Sequence, residues 1–220
     1  MVTADKMGEL ARAARLAREL ERDCQDPREP ILGKIRRMQR TRSPELPPRV
    51  RDLRSYDPAW AELFASEERR IHAALGGAVE RVEHFGSSAV PSSVLTGKNV
   101  IDFLVALRED PASHEGLAAL GYAPYGNSPC DPEASWWWRI EADEVAFVAH
   151  LCAAGNPWIE TAVNFRDYLR DHPEEQRRYQ EVKQSLAVEP DRSLFEYSLG
   201  KLRLFYDISS KANAWKAGLP

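Results

Sequence analysis

The sequence predicts an α+β domain, in which a β-sheet is flanked by helices. An amphipathic helical pattern comes first, four strand-like runs follow between residues 78 and 152, and helical patterns occupy the chain from residue 156 onward. Strands that are grouped together, rather than alternating with helices, are typical of α+β folds. The C-terminal helices are therefore expected to cover one side of the sheet. A chain of 220 residues with 43% hydrophobic content suits one medium domain with an appendage.

The appendage is predicted at the N-terminus, as a helical arm and basic linker over residues 1–46. Residues 5–24 have apolar side chains at helical spacing, and a Pro- and Arg-rich stretch follows. Up to Arg54 the chain has 14 basic and 9 acidic residues, a balance of +5, whereas the whole chain carries −4. This asymmetry leaves a nucleic-acid-binding arm open. A solvated helix face with a basic linker is the favoured interpretation.

The compact domain is predicted over residues 47–220, and its first helix has clear boundary signals. Asp57 is expected to cap the helix, with Pro58 at the first helical position. Gly76 and Gly77 then end it, because glycine adopts the backbone conformation that closes a helix.

Four runs with apolar alternation or continuous apolar character are predicted as strands. They read AVERVEHF, NVIDFLVAL, SWWWRIE and EVAFVAHLC. Alternation along the third run sends Trp137 to the face opposite Trp136 and Trp138. Those tryptophans either pack in the core or stack on a base, and Arg139 beside them either contacts a phosphate or forms a salt bridge.

Three helices are predicted after the strands. Asn156-Pro157 opens the first, His172-Pro173 opens the second, and the third covers roughly residues 192–215. The sheet core accordingly spans about 47–154 and the C-terminal helices about 155–220.

Several classes of protein are disfavoured. No apolar run approaches the roughly 18 residues that a membrane span needs, and the N-terminus lacks the apolar core of a secretory signal. The three cysteines form no Cys-x-x-Cys pair, which argues against a zinc site or a disulfide framework. We therefore expect a cytoplasmic protein without a membrane partner; its oligomeric state is left open.

The stretch VEHFGSSAVPSS, Val82 to Ser93, carries the first chemical signal. A strand followed by Gly-Ser and a helix start suits phosphate binding, because glycine allows close backbone approach while hydroxyl and N–H groups donate. Asp102 then interrupts the apolar run IDFLVAL. Since an unpaired buried carboxylate is costly, Asp102 is expected to lie buried beside a partner, a metal or a substrate.

Motifs distributed along the chain resemble one family in particular. They are YDPAW, VEHFGSSAVP, GKNVIDFLV, HLCAAGNPW, FRDYLRDHPE, Tyr179-x-x-x-Lys183 and YSLGK, in that order. From about Val50 to Trp215 the sequence resembles the GrpB family, whose fold is the mixed-sheet nucleotidyltransferase fold related to DNA polymerase β.

The resemblance implies a nucleotide-binding site with one metal-binding acid, Asp102, and further catalytic or ligand candidates around it. The remaining implied residues are Gly86, Ser87, Ser88, Lys98, Arg166, Tyr197 and Lys201 for binding nucleotide, Glu83, His84 and His150 as metal ligands or acid–base groups, and Lys183 facing the same cleft.

This sequence also departs from the family pattern. Leu104 stands where working nucleotidyltransferases have a second metal-binding acid, Val148 replaces the first histidine of a His-x-His pair, and Asn99 replaces a proline. Two-metal chemistry needs several oxygen ligands, so these changes favour an altered substrate or a lost activity.

The leading hypothesis is an enzyme that binds a nucleoside triphosphate with magnesium and transfers a nucleotidyl group to a small-molecule acceptor, or activates it. Two alternatives are open. One is a pocket for a small metabolite, in which His84, Asp102 and His150 do acid–base work without nucleotide. The other is a non-catalytic domain that binds a ligand, RNA or protein.

Overall fold

The structure is a computed structural model of the chain, and it describes Gly33 and residues 51–108, 115–127, 131, 133–187 and 194–219. The helix predicted over residues 5–24 and the arm over 1–46 fall outside the described residues, so the domain boundary near residue 47 stays a prediction. Helices are α1 (Ala59–Leu75), α2 (Glu115–Ala119), α3 (Pro157–Asp171), α4 (Pro173–Ala187) and α5 (Leu194–Lys216). Strands are β1 (Val79–Phe85), β2 (Val100–Leu107), β3 (Ala123–Asn127), β4 (Ser135–Glu141) and β5 (Val145–Ala153).

Helix α1 begins one residue later than predicted. Pro58 occupies the cap position, and the carboxylate of Asp57 accepts a hydrogen bond from the N–H of Ala59 across 2.9 Å. Asp57 thus satisfies one of the N–H groups that the first turn leaves free. The predicted stop is confirmed, because the helix ends at Leu75 and Gly76 has a φ of 55°.

The five strands form one mixed sheet in the order β1-β2-β5-β4-β3. Strands β2 and β5 are parallel, and the other neighbours are antiparallel. This confirms the predicted α+β class with a mixed sheet and flanking helices. Strand β3 was not predicted, because it contains Pro124 and Gly126, residue types depleted in strands.

The two faces of the sheet have different partners. Helix α1 covers one face, where Trp60 and Ile71 pack in a core with Phe103 and Trp137. On the other face, α3 and α5 pack over β2 and β5, where Leu104 meets residues of both helices. The predicted opposition of Trp137 to its two neighbours is confirmed, since Trp136 and Trp138 belong to a separate cluster.

Helices α3, α4 and α5 share a second core that lies beside the sheet. Its members include Phe165 on α3, Tyr179 on α4 and Ile208 on α5, and the loop residues Val90 and Leu95 are buried among them. Burial of these loop residues holds the segment between β1 and β2 against the C-terminal helices. Among the described helices, none is long and apolar enough to cross a membrane.

Candidate functional site

A tight turn after β1 forms one wall of the site. Phe85, the last residue of β1, pairs with Asp102 on β2, and Gly86 follows with a φ of 74°. A Cβ at Gly86 would lie 3.1 Å from an Asp102 oxygen, so a side chain there would crowd the carboxylate. Glycine therefore meets two needs, a positive φ and close approach of the turn to Asp102.

Asp102 is more exposed than the sequence suggested. Its side chain is 32% exposed, so the prediction of a buried carboxylate is wrong. The physical reason is its position near the start of β2, beside a glycine turn that has no side chain to cover it. An open carboxylate keeps much of its hydration and can meet a ligand without a large desolvation penalty.

His150 is the nearest histidine to Asp102. Its Nε2 lies 3.8 Å from Asp102 Oδ1, and its side chain is 3% exposed. The imidazole ring lies between Phe85, at 5.1 Å between centroids, and Trp136, at 6.2 Å. The structure thus brings the Asp102 carboxylate and the His150 imidazole together on one face of the sheet, with aromatic rings beside the imidazole.

Three lysines surround the turn. Lys98 Nζ lies 4.0 Å from the centroid of the Tyr197 ring, and Lys201 Nζ lies 4.6 Å from it. Lys183 on α4 donates to the Ser87 hydroxyl across 2.8 Å and to the Thr96 carbonyl. The loop after β1 and helices α4 and α5 each supply one lysine to this lysine cluster, defined as Lys98, Lys183 and Lys201.

The positive charge of the lysine cluster is only partly compensated by the described residues. In the described part of the chain, none of its three amines forms a salt bridge, and Asp102 is the acid whose charge acts on Lys98. Burial, together with the charge of the neighbouring Lys201, lowers the pKa of Lys98 to about 7, although Asp102 opposes the shift. Burial also lowers the pKa of Lys183 well below its ordinary value, with Lys201 and Lys98 contributing. An anion entering the cluster would relieve this repulsion.

The loop that carries Lys98 is held from both sides. The Gln180 side chain on α4 accepts from the Thr96 N–H across 2.8 Å, and Ser92 Oγ donates to Gln176 Oε1 across 2.6 Å. On the other side, Trp60 Nε1 donates to Asn99 Oδ1 across 2.7 Å. Asn99, which departs from the family pattern, therefore anchors the loop to α1.

His84 lies on the other face of the sheet from Asp102 and His150. Its ring stacks on Phe64 of α1 at 4.6 Å between centroids, and its Nε2 lies 3.0 Å from Ser88 Oγ. Burial lowers the pKa of His84 to about 4, so the imidazole is neutral at pH 7. His84 and Ser88 therefore contact each other on the face of the sheet that α1 covers, and they do not line the face that carries Asp102.

Glu83 and Arg166 are engaged with each other. Arg166 Nη1 donates to Glu83 Oε2 across 2.6 Å and to the His84 carbonyl across 2.9 Å, while Arg166 Nε donates to Asp167. Glu83 also accepts from Arg81 across 2.7 Å. The structure therefore places this pair in an ion-pair network that joins α3 to β1.

Arg139 is also placed away from the lysine cluster. It donates to Glu67 on α1 across 2.7 Å and to Glu141 across 2.6 Å, and its guanidinium lies over the Phe147 ring. Of the two interpretations considered for Arg139, the structure has the salt bridge. The family resemblance implied that Lys183 faces the cleft, and tertiary packing brings its amine into contact with Ser87.

The residues present do not fit a resident magnesium site. Leu104 is buried in an apolar cluster with Ala106 and Cys152, so the second acidic ligand is replaced by core packing. Val148, beside Asp102 in the sheet, is buried as well. Within the described ranges, no three His, Cys, Asp or Glu side chains converge as metal ligands. Asp102 offers one carboxylate, fewer than the several oxygens that magnesium prefers.

Comparison with known protein families gives one clear result. The family model described as GrpB protein matches residues 51–211, which include every site residue described above. A UPF0157 protein from Streptomyces coelicolor is 32% identical over 162 residues, covering 74% of this chain and 84% of its own. The UPF0157 protein YqkA from Bacillus subtilis is 30% identical over 175 residues, or 78% of this chain. The match spans half the length of YqkA.

Solved structures agree with this result. The crystal structure of conserved protein GrpB from Enterococcus faecalis superposes with a TM-score of 0.65 at 27% identity, covering 74% of this chain and 99% of that one. A terminal uridylyl transferase from Trypanosoma brucei is a distant neighbour, with a TM-score of 0.36 and 13% identity. Similarity at that level says nothing about the activity of this chain.

Proposed function

The chain belongs to the GrpB family, and from this premise we propose that it binds the phosphates of a nucleoside triphosphate at the Gly86 turn and transfers the nucleotidyl group to a small-molecule acceptor. The observation that carries the proposal is the lysine cluster. Lys98 and Lys201 meet at the Tyr197 ring, and their charges act on Lys183, which bonds Ser87; none of the three has a salt-bridge partner in the described ranges. A polyanion is the ligand that such a cluster favours.

Each part of the cluster has a distinct role in the proposal. Lys98 and Lys201 are the cations that contact phosphate oxygens, and the Ser87 turn offers hydroxyl and N–H donors. Lys183 is almost fully buried, at 2% exposure, and both of its hydrogen bonds go to protein groups. It is therefore a positioning residue that orients Ser87.

Asp102 and His150 are proposed to serve the acceptor. They lie next to the turn, so an acceptor hydroxyl held between them would be close to bound phosphate. The acceptor oxygen attacks the α-phosphorus, pyrophosphate leaves with its electron pair, and the acceptor proton passes to His150, which lies beside Asp102. Lys98 and Lys201 offset the charge that develops on the leaving pyrophosphate.

Magnesium enters this proposal as the counter-ion of the triphosphate. Asp102 would be its one protein carboxylate, and the remaining oxygens would come from phosphate and water. No step of the proposed transfer depends on a metal held by the protein alone.

Calorimetric titration of the full chain with each nucleoside triphosphate, with and without magnesium, tests the proposal. We expect micromolar binding that weakens at least tenfold in Lys201→Met, where one cation is removed from the anion site. Asp102→Asn is expected to weaken the magnesium dependence while the protein stays folded, because it removes the one protein carboxylate beside the metal. Absence of binding by every triphosphate to the folded protein would refute the proposal.

A second candidate function is favoured by the burial of Leu104. Because the second acid is missing, the same pocket would suit an anionic metabolite handled by Asp102 and His150 without a nucleotide. Metal-independent binding of small phosphorylated compounds, with no binding of nucleotides, would identify this second function.

A non-catalytic domain with an RNA-binding arm remains a prediction. It is tested by salt-sensitive RNA binding that is lost on deletion of residues 1–46.

A further inference from the structure

Two tryptophans on β4 share the face of Asp102 and His150. In the sheet register, Asp102 on β2 lies beside Val148 on β5, which in turn lies beside Trp138 on β4. Trp136 is likewise the neighbour of His150. Because cross-strand neighbours project to the same face, these side chains extend the site away from the lysine cluster.

The two indole rings lie against each other, and within the part of the chain that the structure describes their N–H groups have no acceptor. Their centroids are 4.9 Å apart, and Trp136 and Trp138 are 8% and 7% exposed. Both Nε1 atoms are buried and make no hydrogen bond to any residue in the described ranges. Trp137, on the opposite face, differs because its Nε1 donates to Ser135 Oγ across 3.0 Å. Buried polar groups normally have partners, so two adjacent orphan donors on one face point to a ligand that supplies acceptors.

We propose that Trp136 and Trp138 form the subsite that receives the base of the bound nucleotide. The inference rests on the proposed function and deepens it, because it assigns the part of the ligand beyond the phosphates. The ligand group is a planar heteroaromatic ring with carbonyl or ring-nitrogen acceptors. Its acceptors receive hydrogen bonds from the two indole N–H groups, and the ring replaces part of the contact between the Trp136 and Trp138 rings.

The spacing of the strands supports the assignment. Neighbouring strands are about 4.8 Å apart, so Trp138, two strands from Asp102, stands roughly 10 Å away on the same face. A sugar can bridge that gap between phosphates at the Gly86 turn and a base on β4. The residue between them, Val148, is apolar and brings no competing charge to this face.

The test compares inorganic tripolyphosphate with the four nucleoside triphosphates, by calorimetry on the full chain at fixed ionic strength. We expect at least one nucleoside triphosphate to bind tenfold or more tightly than tripolyphosphate. Trp136→Phe and Trp138→Phe, which keep a ring but lose the N–H, should each reduce that ratio at least threefold without changing tripolyphosphate affinity. The matched control is Trp137→Phe, which should alter neither affinity.

Tryptophan emission provides a second measurement that needs no substitution at the subsite. In the Trp137→Phe protein, the preferred nucleotide should quench fluorescence, whereas tripolyphosphate should not. Equal affinities for tripolyphosphate and all nucleotides would overturn the base subsite and leave the phosphate site standing. Failure of tripolyphosphate and nucleotides alike would overturn the proposed function together with the subsite.

Discussion

Lys183 on α4 donates a hydrogen bond to the hydroxyl of Ser87, which lies 96 residues earlier in the chain. The same amine donates to the Thr96 carbonyl, so one buried side chain ties both ends of the loop that frames the lysine cluster to a C-terminal helix. The geometry of the turn therefore depends on the docking of α4.

Replacing this amine should uncouple the turn from α4. In Lys183→Met we expect tripolyphosphate affinity to fall about tenfold, because Ser87 loses the donor that orients its hydroxyl. The free energy of unfolding should change by no more than about 2 kcal/mol, since lost hydrogen bonds are offset by the removal of a desolvated amine. Calorimetry measures the change in affinity, and urea unfolding measures the change in stability.

The control is Lys216→Met, which removes an exposed lysine at the end of α5 and should change neither quantity. Unchanged tripolyphosphate affinity in Lys183→Met would contradict the positioning role of Lys183.

A methyl group at Gly86 should damage both the fold and the site. In Gly86→Ala we expect a loss of about 1–3 kcal/mol of unfolding free energy, because alanine is strained at this backbone conformation. Its Cβ would also crowd Asp102 at 3.1 Å. Urea denaturation gives the stability, and tripolyphosphate titration gives the binding. Gly77→Ala is the matched control, since a Cβ there meets nothing within 4 Å; equal stability of the two variants would argue against strain at Gly86.

Binding of an anion should weaken as pH rises through the pKa of Lys98. Burial places that pKa at about 7, so the amine is charged at pH 6 and neutral at pH 8.5. Tripolyphosphate affinity of the native protein should fall about tenfold over this interval relative to Lys98→Met, in which the charge is absent at every pH. The comparison cancels titration of the phosphate itself. Parallel pH profiles for the two proteins would show that Lys98 does not contact the anion.

Acid should destabilise the fold through His84. Its folded-state pKa of about 4 lies below the ordinary value of 6.5, so between these values the unfolded chain binds the proton more readily. The free energy of unfolding should therefore fall by up to about 3 kcal/mol as pH drops from 6.5 to 4. In His84→Phe, this slope should flatten in urea titrations across that range.

The control for the acid effect is His72→Gln, which removes an exposed histidine from α1. It should retain the slope of the native protein. A slope that survives unchanged in His84→Phe would assign the acid sensitivity to other groups.

Local chemistry made much of the fold predictable from the sequence. Helix boundaries followed from single residues, such as Gly76 after α1 and Asn156, whose side chain accepts from the Trp158 N–H across 2.8 Å. Strand alternation assigned Trp137 to the correct face before any partner strand was known. These features are predictable because a turn, a cap or an alternating pattern depends on residues close together in the chain.

Only the tertiary structure decided which candidate residues meet. The Asp102 side chain is partly exposed, and His84 stacks on Phe64 on the opposite face of the sheet. Arg166 forms an ion pair with Glu83, and Lys183 donates a hydrogen bond to Ser87. Each outcome depends on strand register or on helix docking across 20 to 96 residues of chain. Such contacts are set by packing between whole elements, so the residue types alone predicted the components of the site while long-range burial decided their arrangement.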